Sequence, residues 1–252
     1  MLLLLTGCSD FTLLSHWKDR DIVIDGKDTE WQDSMVQVGH FYLGVANDAD
    51  YLYICMSITD KITKAQIMGV FEQEFTVSFS TQEKMTNSFG LRFSNDSPEM
   101  DETLIKRLKY LKTQSFQKIA EEMMNNLVIE FTENENPIAT LEEAKGVDVA
   151  AGMSLNGRKL TYEFKIPLTR SEAHPYAICA NPGKPIYVSF RTSELDPDFL
   201  AKEMGGGNGG QNPGMHAGMG GRGRGRTMAE ELEPFSYVKM LGKIQLAGAN
   251  RS

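Results

Sequence analysis

The sequence predicts an all-β fold: a two-sheet antiparallel β-sandwich, jelly-roll-like, carrying an α-helical insertion. Three observations lead there. Ten or so short segments alternate apolar and polar residues, the two-residue period of a half-buried strand. Turn signals separate them, Asn47-Asp48-Ala49-Asp50 and Asn156-Gly157 most clearly. A single stretch, 98–126, places apolar residues at helical spacing instead. With 252 residues, 41% hydrophobic and 24% charged, the chain is long enough for one large β domain. That composition excludes wholesale disorder and a polytopic membrane protein.

The elements follow in order. Met1-Leu2-Leu3-Leu4-Leu5 is an apolar run, followed by Thr6-Gly7-Cys8. Residues 9–20 read as a tether, and 21–248 as a single domain. Ile22-Val23-Ile24 is a first edge segment, followed by the turn signal Asp25-Gly26. Strands are expected at Phe41 to Ala46, Tyr51 to Thr59, Glu74 to Ser80, Phe89 to Ser94 and Leu127 to Phe131. Val147 to Leu155, Arg158 to Ile166, Pro185 to Thr192 and Tyr237 to Leu246 complete the set. The helical insertion 98–126 begins with Ser97 as cap and Pro98 at the first helical position. Met100, Leu104, Leu108 and Leu111 then recur on one face.

Of 23 glycines, 11 lie between Gly205 and Gly225. Gly205-Gly206-Gly207-Asn208-Gly209-Gly210 fits a dinucleotide fingerprint by letter. No strand leads in and no helix follows, so 205–226 reads as a flexible loop. Its end, Arg222-Gly223-Arg224-Gly225-Arg226, is basic, but the chain carries a net charge of −8. A nucleic-acid partner is therefore not expected.

Alternation assigns faces. Leu52, Ile54, Met56 and Ile58 point one way, with Tyr51, Tyr53, Cys55 and Ser57 opposite. Phe75, Val77 and Phe79 point inward, as do Leu91, Phe93, Tyr162, Phe164, Ile166, Val188 and Phe190. Arg92, Glu163, Lys165 and Arg191 then fall on a polar outer face. Planar guanidinium forks there suit vicinal hydroxyls or a carboxylate.

Leu5-Thr6-Gly7-Cys8 resembles the bacterial lipoprotein box. The resemblance implies acylation of Cys8, attachment to a membrane by lipid, and an extracytoplasmic place in the cell envelope. Three cysteines exclude a disulfide scaffold. Cys55 and Cys179 are expected as separate thiols, with pairing as the alternative.

Val23-Ile24-Asp25-Gly26-Lys27-Asp28-Thr29-Glu30-Trp31 resembles the opening signature of family 9 carbohydrate-binding modules and the wider DOMON-like sandwiches. So do Ala49-Asp50-Tyr51-Leu52-Tyr53, Phe71-Glu72-Gln73-Glu74, Tyr162-Glu163-Phe164-Lys165-Ile166-Pro167 and Leu241-Gly242-Lys243-Ile244-Gln245-Leu246. The resemblance implies a non-catalytic module that recognises a carbohydrate or glycan polymer. By position it implies Phe71 as a stacking ring, with Arg92, Ser94 and Arg191 as polar ligand contacts. It sets Val77 where a carboxylate would stand, and the second ring in the loop before the closing strand.

Two other readings stay open. One is an accessory or scaffold envelope protein with no small ligand. The other is a haem-binding DOMON-like domain, with Met56, Met153 and His40 on or near strands. No enzyme is expected: HExxH, GxSxG and CxxC are absent, and His16, His40, His174 and His216 are widely spaced. No cofactor is expected, although Asp25, Asp28, Asp48, Asp50 and Asp60 near turns are oxygen donors of the kind Ca²⁺ takes.

Overall fold

The computed structural model describes residues 11–69, 73–95, 127–141, 143, 146–154, 158–194 and 237–249. Cys8, Phe71, the insertion expected at 98–126 and the glycine-rich loop 205–226 lie outside the described residues.

The strands are β1 (Phe11–Leu14), β2 (His16–Trp17), β3 (Val36–Val38), β4 (Phe41–Asn47), β5 (Tyr51–Ile58), β6 (Phe75–Ser80) and β7 (Phe89–Asn95). After them come β8 (Leu127–Glu133), β9 (Asn136–Thr140), β10 (Asp148–Met153), β11 (Leu160–Pro167), β12 (Pro185–Thr192) and β13 (Lys239–Gln245). One short helix, α1 (Lys61–Ile67), follows β5. Asp60 caps it by accepting from the Thr63 backbone N–H at 2.7 Å.

The strands build two sheets. One runs β1-β13-β12-β6-β7-β8-β9; the other runs β10-β11-β5-β4-β2, with β3 also on β4. Their inner faces meet in one core. Phe75, Val77, Phe79, Leu91, Phe93 and Phe190 from the first pack with Phe41, Ile54, Met56, Tyr162 and Phe164 from the second. Nine strands fall where the alternation places them, because half-buried strands write their period into the sequence.

Four expectations are corrected. The sheets are mixed: β1 pairs parallel with β13, and β2 parallel with β4. Residues 11–17 therefore belong to the sandwich and not to a tether spanning 9–20. Leu13 is core, and the Phe11 ring stacks 6.4 Å from Phe190. Buried Asn47 ties this entry to the end of the chain: its amide oxygen accepts from Ser15 Oγ at 2.7 Å and from Ala247 N at 2.8 Å. Thus one residue satisfies polar groups where the two sheets meet.

Secondly, Ile22-Val23-Ile24 is not a strand. Ile22 and Ile24 pack on a small second cluster of Trp31, Ala46, Tyr53 and Cys55. Thirdly, that packing buries the face of β5 opposite the core, so Tyr53, Cys55 and Ser57 are not solvent-facing. Fourthly, Glu163 is fully buried on that covered face, and its residue is separated from Arg92 and Arg191 by the sandwich. The expected common outer face is thus two faces on two sheets.

Glu163 has a structural assignment. Its carboxylate accepts from Trp31 Nε1 at 2.8 Å, Asp25 N at 2.9 Å and Gly26 N at 2.8 Å. Gly26 has φ +77°, and a β-carbon there would sit 2.7 Å from the backbone of Ala151. Only glycine lets this turn press onto β10. The Asp-Gly…Trp segment is therefore a clasp held by one carboxylate. Burial raises the Glu163 pKa above the ordinary carboxylate range, against the opposing pull of those three donors.

Candidate functional site

On the outer face of the seven-stranded sheet, register builds one polar row. Lys239 stands opposite Arg191, Arg191 opposite Thr76, Thr76 opposite Arg92, and Arg92 opposite Glu130. The two arginines therefore flank Thr76 on adjacent strands, about 9–10 Å apart at the backbone by ordinary strand spacing. One step along, the residues are small: Ser189, Ser78, Gly90 and Thr132 stand in register. A β-carbon on Gly90 would come within 2.6 Å of Thr132 Oγ1, so the floor there is low and tightly set.

Lys239, Arg191, Thr76 and Arg92 of this row line an open groove of about 370 Å³. Glu135 bridges the two arginines from the β8–β9 turn. Its carbonyl accepts from Arg92 Nη2 at 2.7 Å, and its carboxylate from Arg191 Nη2 at 2.9 Å. The turn reaches this position because Asn134 and Glu135 both adopt positive φ, 50° and 69°, the tight hairpin geometry. Arg92 also lies 3.6 Å from Glu74 and 3.6 Å from Glu130. Carboxylates and the Glu135 carbonyl thus hold both guanidiniums in place along the groove.

Of the sequence-predicted contacts, Arg92 and Arg191 are brought together. Ser94 shares their face but does not line the groove. Phe71 lies outside the described residues. Val77 is fully buried in the core, so it has no place in the site. Its neighbour Thr76 stands there instead, and Glu74, two residues earlier on the same face, supplies a carboxylate.

Sequence reasoning missed Glu74, Glu135, Glu194, Tyr237 and Lys239, all of which line the groove. Alternation from Thr76 and Arg191 would have found Glu74. Tyr237, 42% exposed and just before β13, is an aromatic ring in the late position where the resemblance called for one.

Other candidate residues have structural partners. Asp48 accepts from Asp50 N, Tyr51 N and Tyr53 Oη. Asp28 pairs with Lys159, and Asp25 with Lys27. Among the described residues no group of three or more His, Cys, Asp or Glu is placed to hold a metal ion. Cys55 is buried and Cys179 exposed, and the two are not bonded. Burial pushes the Cys55 thiol far up, so it is not a reactive group. Met56 is core packing, His40 is exposed, and His174 contacts Tyr51 Oη at 3.1 Å.

No protein-family model matches the sequence, and no curated protein does. Among solved structures the chain is similar to a family 9 carbohydrate-binding module from Caldicellulosiruptor kristjanssonii in complex with cellotriose. The identity is 11%, the TM-score is 0.43, and the match covers 96% of this chain and 95% of that one. It is also similar to a family 9 module from the same organism in complex with glucose. There the identity is 12% and the TM-score 0.39, with 75% of this chain and 81% of that one covered.

Proposed function

We propose that the arginine groove binds a carbohydrate or another polar polymer, and that the protein is a non-catalytic binding module of the cell envelope. The observation that carries this reading is the pair Arg92 and Arg191 flanking Thr76 on an open sheet face, with the Tyr237 ring beside them. Forked donors meet hydroxyl oxygens, the carboxylates of Glu74 and Glu194 accept hydroxyl protons, and a tyrosine face stacks on sugar C–H groups. The groove is shallow and strand-built, a form that suits a polymer lying across it. The lipobox resemblance supports attachment through lipid on Cys8.

A glycan array with the full chain tests the reading. Binding to at least one glycan is expected, weakened about tenfold in Tyr237→Ala, or about 1.4 kcal/mol. Binding to no glycan overturns it. For the anchor, mass spectrometry of membrane-extracted protein should find an acylated Cys8 as the first residue. A mature chain with Met1 intact refutes lipidation.

A further inference from the structure

We propose, on the reading that the arginine groove binds a glycan, that the glycan carries uronate. One sugar carboxylate docks between Arg191 and Lys239, at a place that the Glu135 carboxylate holds in the free chain until ligand displaces it.

The cations come first. Arg191 on β12 and Lys239 on β13 stand directly opposite, both exposed, and both line the groove. Like charges so placed across an antiparallel pair repel each other. Among the described residues Arg191 has one ion-pair partner, Glu135, and Lys239 has none. An anion between the two relieves the repulsion, and a planar carboxylate matches the guanidinium fork. Arg92 differs. It already has the Glu135 carbonyl at 2.7 Å and the Glu74 and Glu130 carboxylates at 3.6 Å. The charge of the ligand is therefore met at Arg191.

Glu135 already places a carboxylate there, accepting from Arg191 Nη2 at 2.9 Å. The turn that delivers it is unusual. Glu133 pairs with Asn136, so only Asn134 and Glu135 join β8 to β9, both at positive φ. Asparagine tolerates that conformation, but the second place ordinarily takes glycine. Asn134 is secured on both sides: its N–H donates to the Ser88 carbonyl at 2.9 Å, and its Oδ1 accepts from the Ser88 N–H at 3.0 Å. The Glu135 side chain has Arg191 alone among the described residues. A glutamate kept where glycine is easier points to a use for its carboxylate. That side chain is 63% exposed, so water screens the ion pair and a ligand can displace it.

Charge also limits the ligand from the other side. The net charge of −8 opposes a dense polyanion. The pair Arg191 and Lys239 offers a place for one carboxylate, with the Tyr237 ring nearby for a sugar face. The polymer that fits has uronates spaced among neutral sugars.

Calorimetry on the full chain tests this with a glucuronate-bearing xylo-oligosaccharide and a hyaluronan octasaccharide, each as free acid and as methyl ester. Xylohexaose and cellohexaose complete the set. At least one free acid should bind tenfold or more tighter than its ester, a ratio that Arg191→Ala and Lys239→Ala each shrink at least threefold. Glu135→Gly suits the turn and should tighten the acid at least threefold while leaving the ester within twofold. Glu135→Gln, which keeps the side chain and drops its charge, should tighten the acid too. Esters or neutral hexaoses bound as tightly as the acids overturn the uronate assignment and leave the groove a glycan site. Acid binding unchanged or weakened in both Glu135 variants overturns the stand-in role and makes Glu135 a positioning residue for the arginines. Binding of no sugar in the set by the wild type overturns the uronate assignment together with the glycan reading of the groove.

Discussion

Glu163→Ala is expected to destabilise the fold by about 3–5 kcal/mol, since it strips three donors, two of them buried, of their shared acceptor. Those donors are Trp31 Nε1 and the backbone N–H groups of Asp25 and Gly26. The clasp would then peel from the six-stranded sheet and expose Tyr53 and Cys55. Urea unfolding should show the loss at constant slope, and Trp31 emission should shift to the red. Glu163→Gln is milder, because its amide oxygen still serves Trp31 while its NH₂ opposes the other two donors. The pH dependence has a definite sign. The folded chain holds the Glu163 proton more tightly than the unfolded chain does. Stability from this group therefore falls as pH rises from the ordinary glutamate pKa to the raised one, and then levels. Glu163→Gln should abolish that slope.

Arg92→Ala and Arg191→Ala should each weaken glycan binding by roughly ten- to a hundredfold, the value of one or two hydrogen bonds to a charged group. Their effect on stability should be small. Side-chain exposures of 22% for Arg92 and 44% for Arg191 leave their ion pairs screened by water. Such pairs contribute about 1 kcal/mol at most. Separation of affinity from stability distinguishes a ligand contact from a structural one.

Most of the fold was legible because its strands are half-buried. Wherever one face meets the core, as in Phe75, Val77 and Phe79, the period is plain. β1 and β2 were hidden because they are short and pair in parallel with distant strands, which no local turn announces. α1 has only seven residues, too few for a helical period. Ile22-Val23-Ile24 has strand composition but is used to cover Trp31 and Tyr53. Alternation correctly turned Glu163 away from the core. It did not reveal that another segment lies on that face, since burial by a distant loop leaves no periodic trace.

The site was legible to the same depth. Parity put Arg92 and Arg191 on outward positions, and the sheet order made them neighbours across β6. Alternation turned Val77 inward, where it lies; only the resemblance set it at the site, and one residue in a strand reverses the face. Glu135 was beyond reach, because its role depends on a two-residue left-handed turn without glycine. Tyr237 comes eleven residues after Arg226, and its position on the groove follows from the pairing of β13 with β12.

The proposed ligand site is the arginine groove. Affinity electrophoresis of wild type, Arg92→Ala and Arg191→Ala, on the polysaccharide selected by the glycan array, tests it most directly. Strong retardation of the wild type and near-free migration of both variants, with unfolding midpoints preserved, is the expected result. Equal retardation of all three proteins would contradict it.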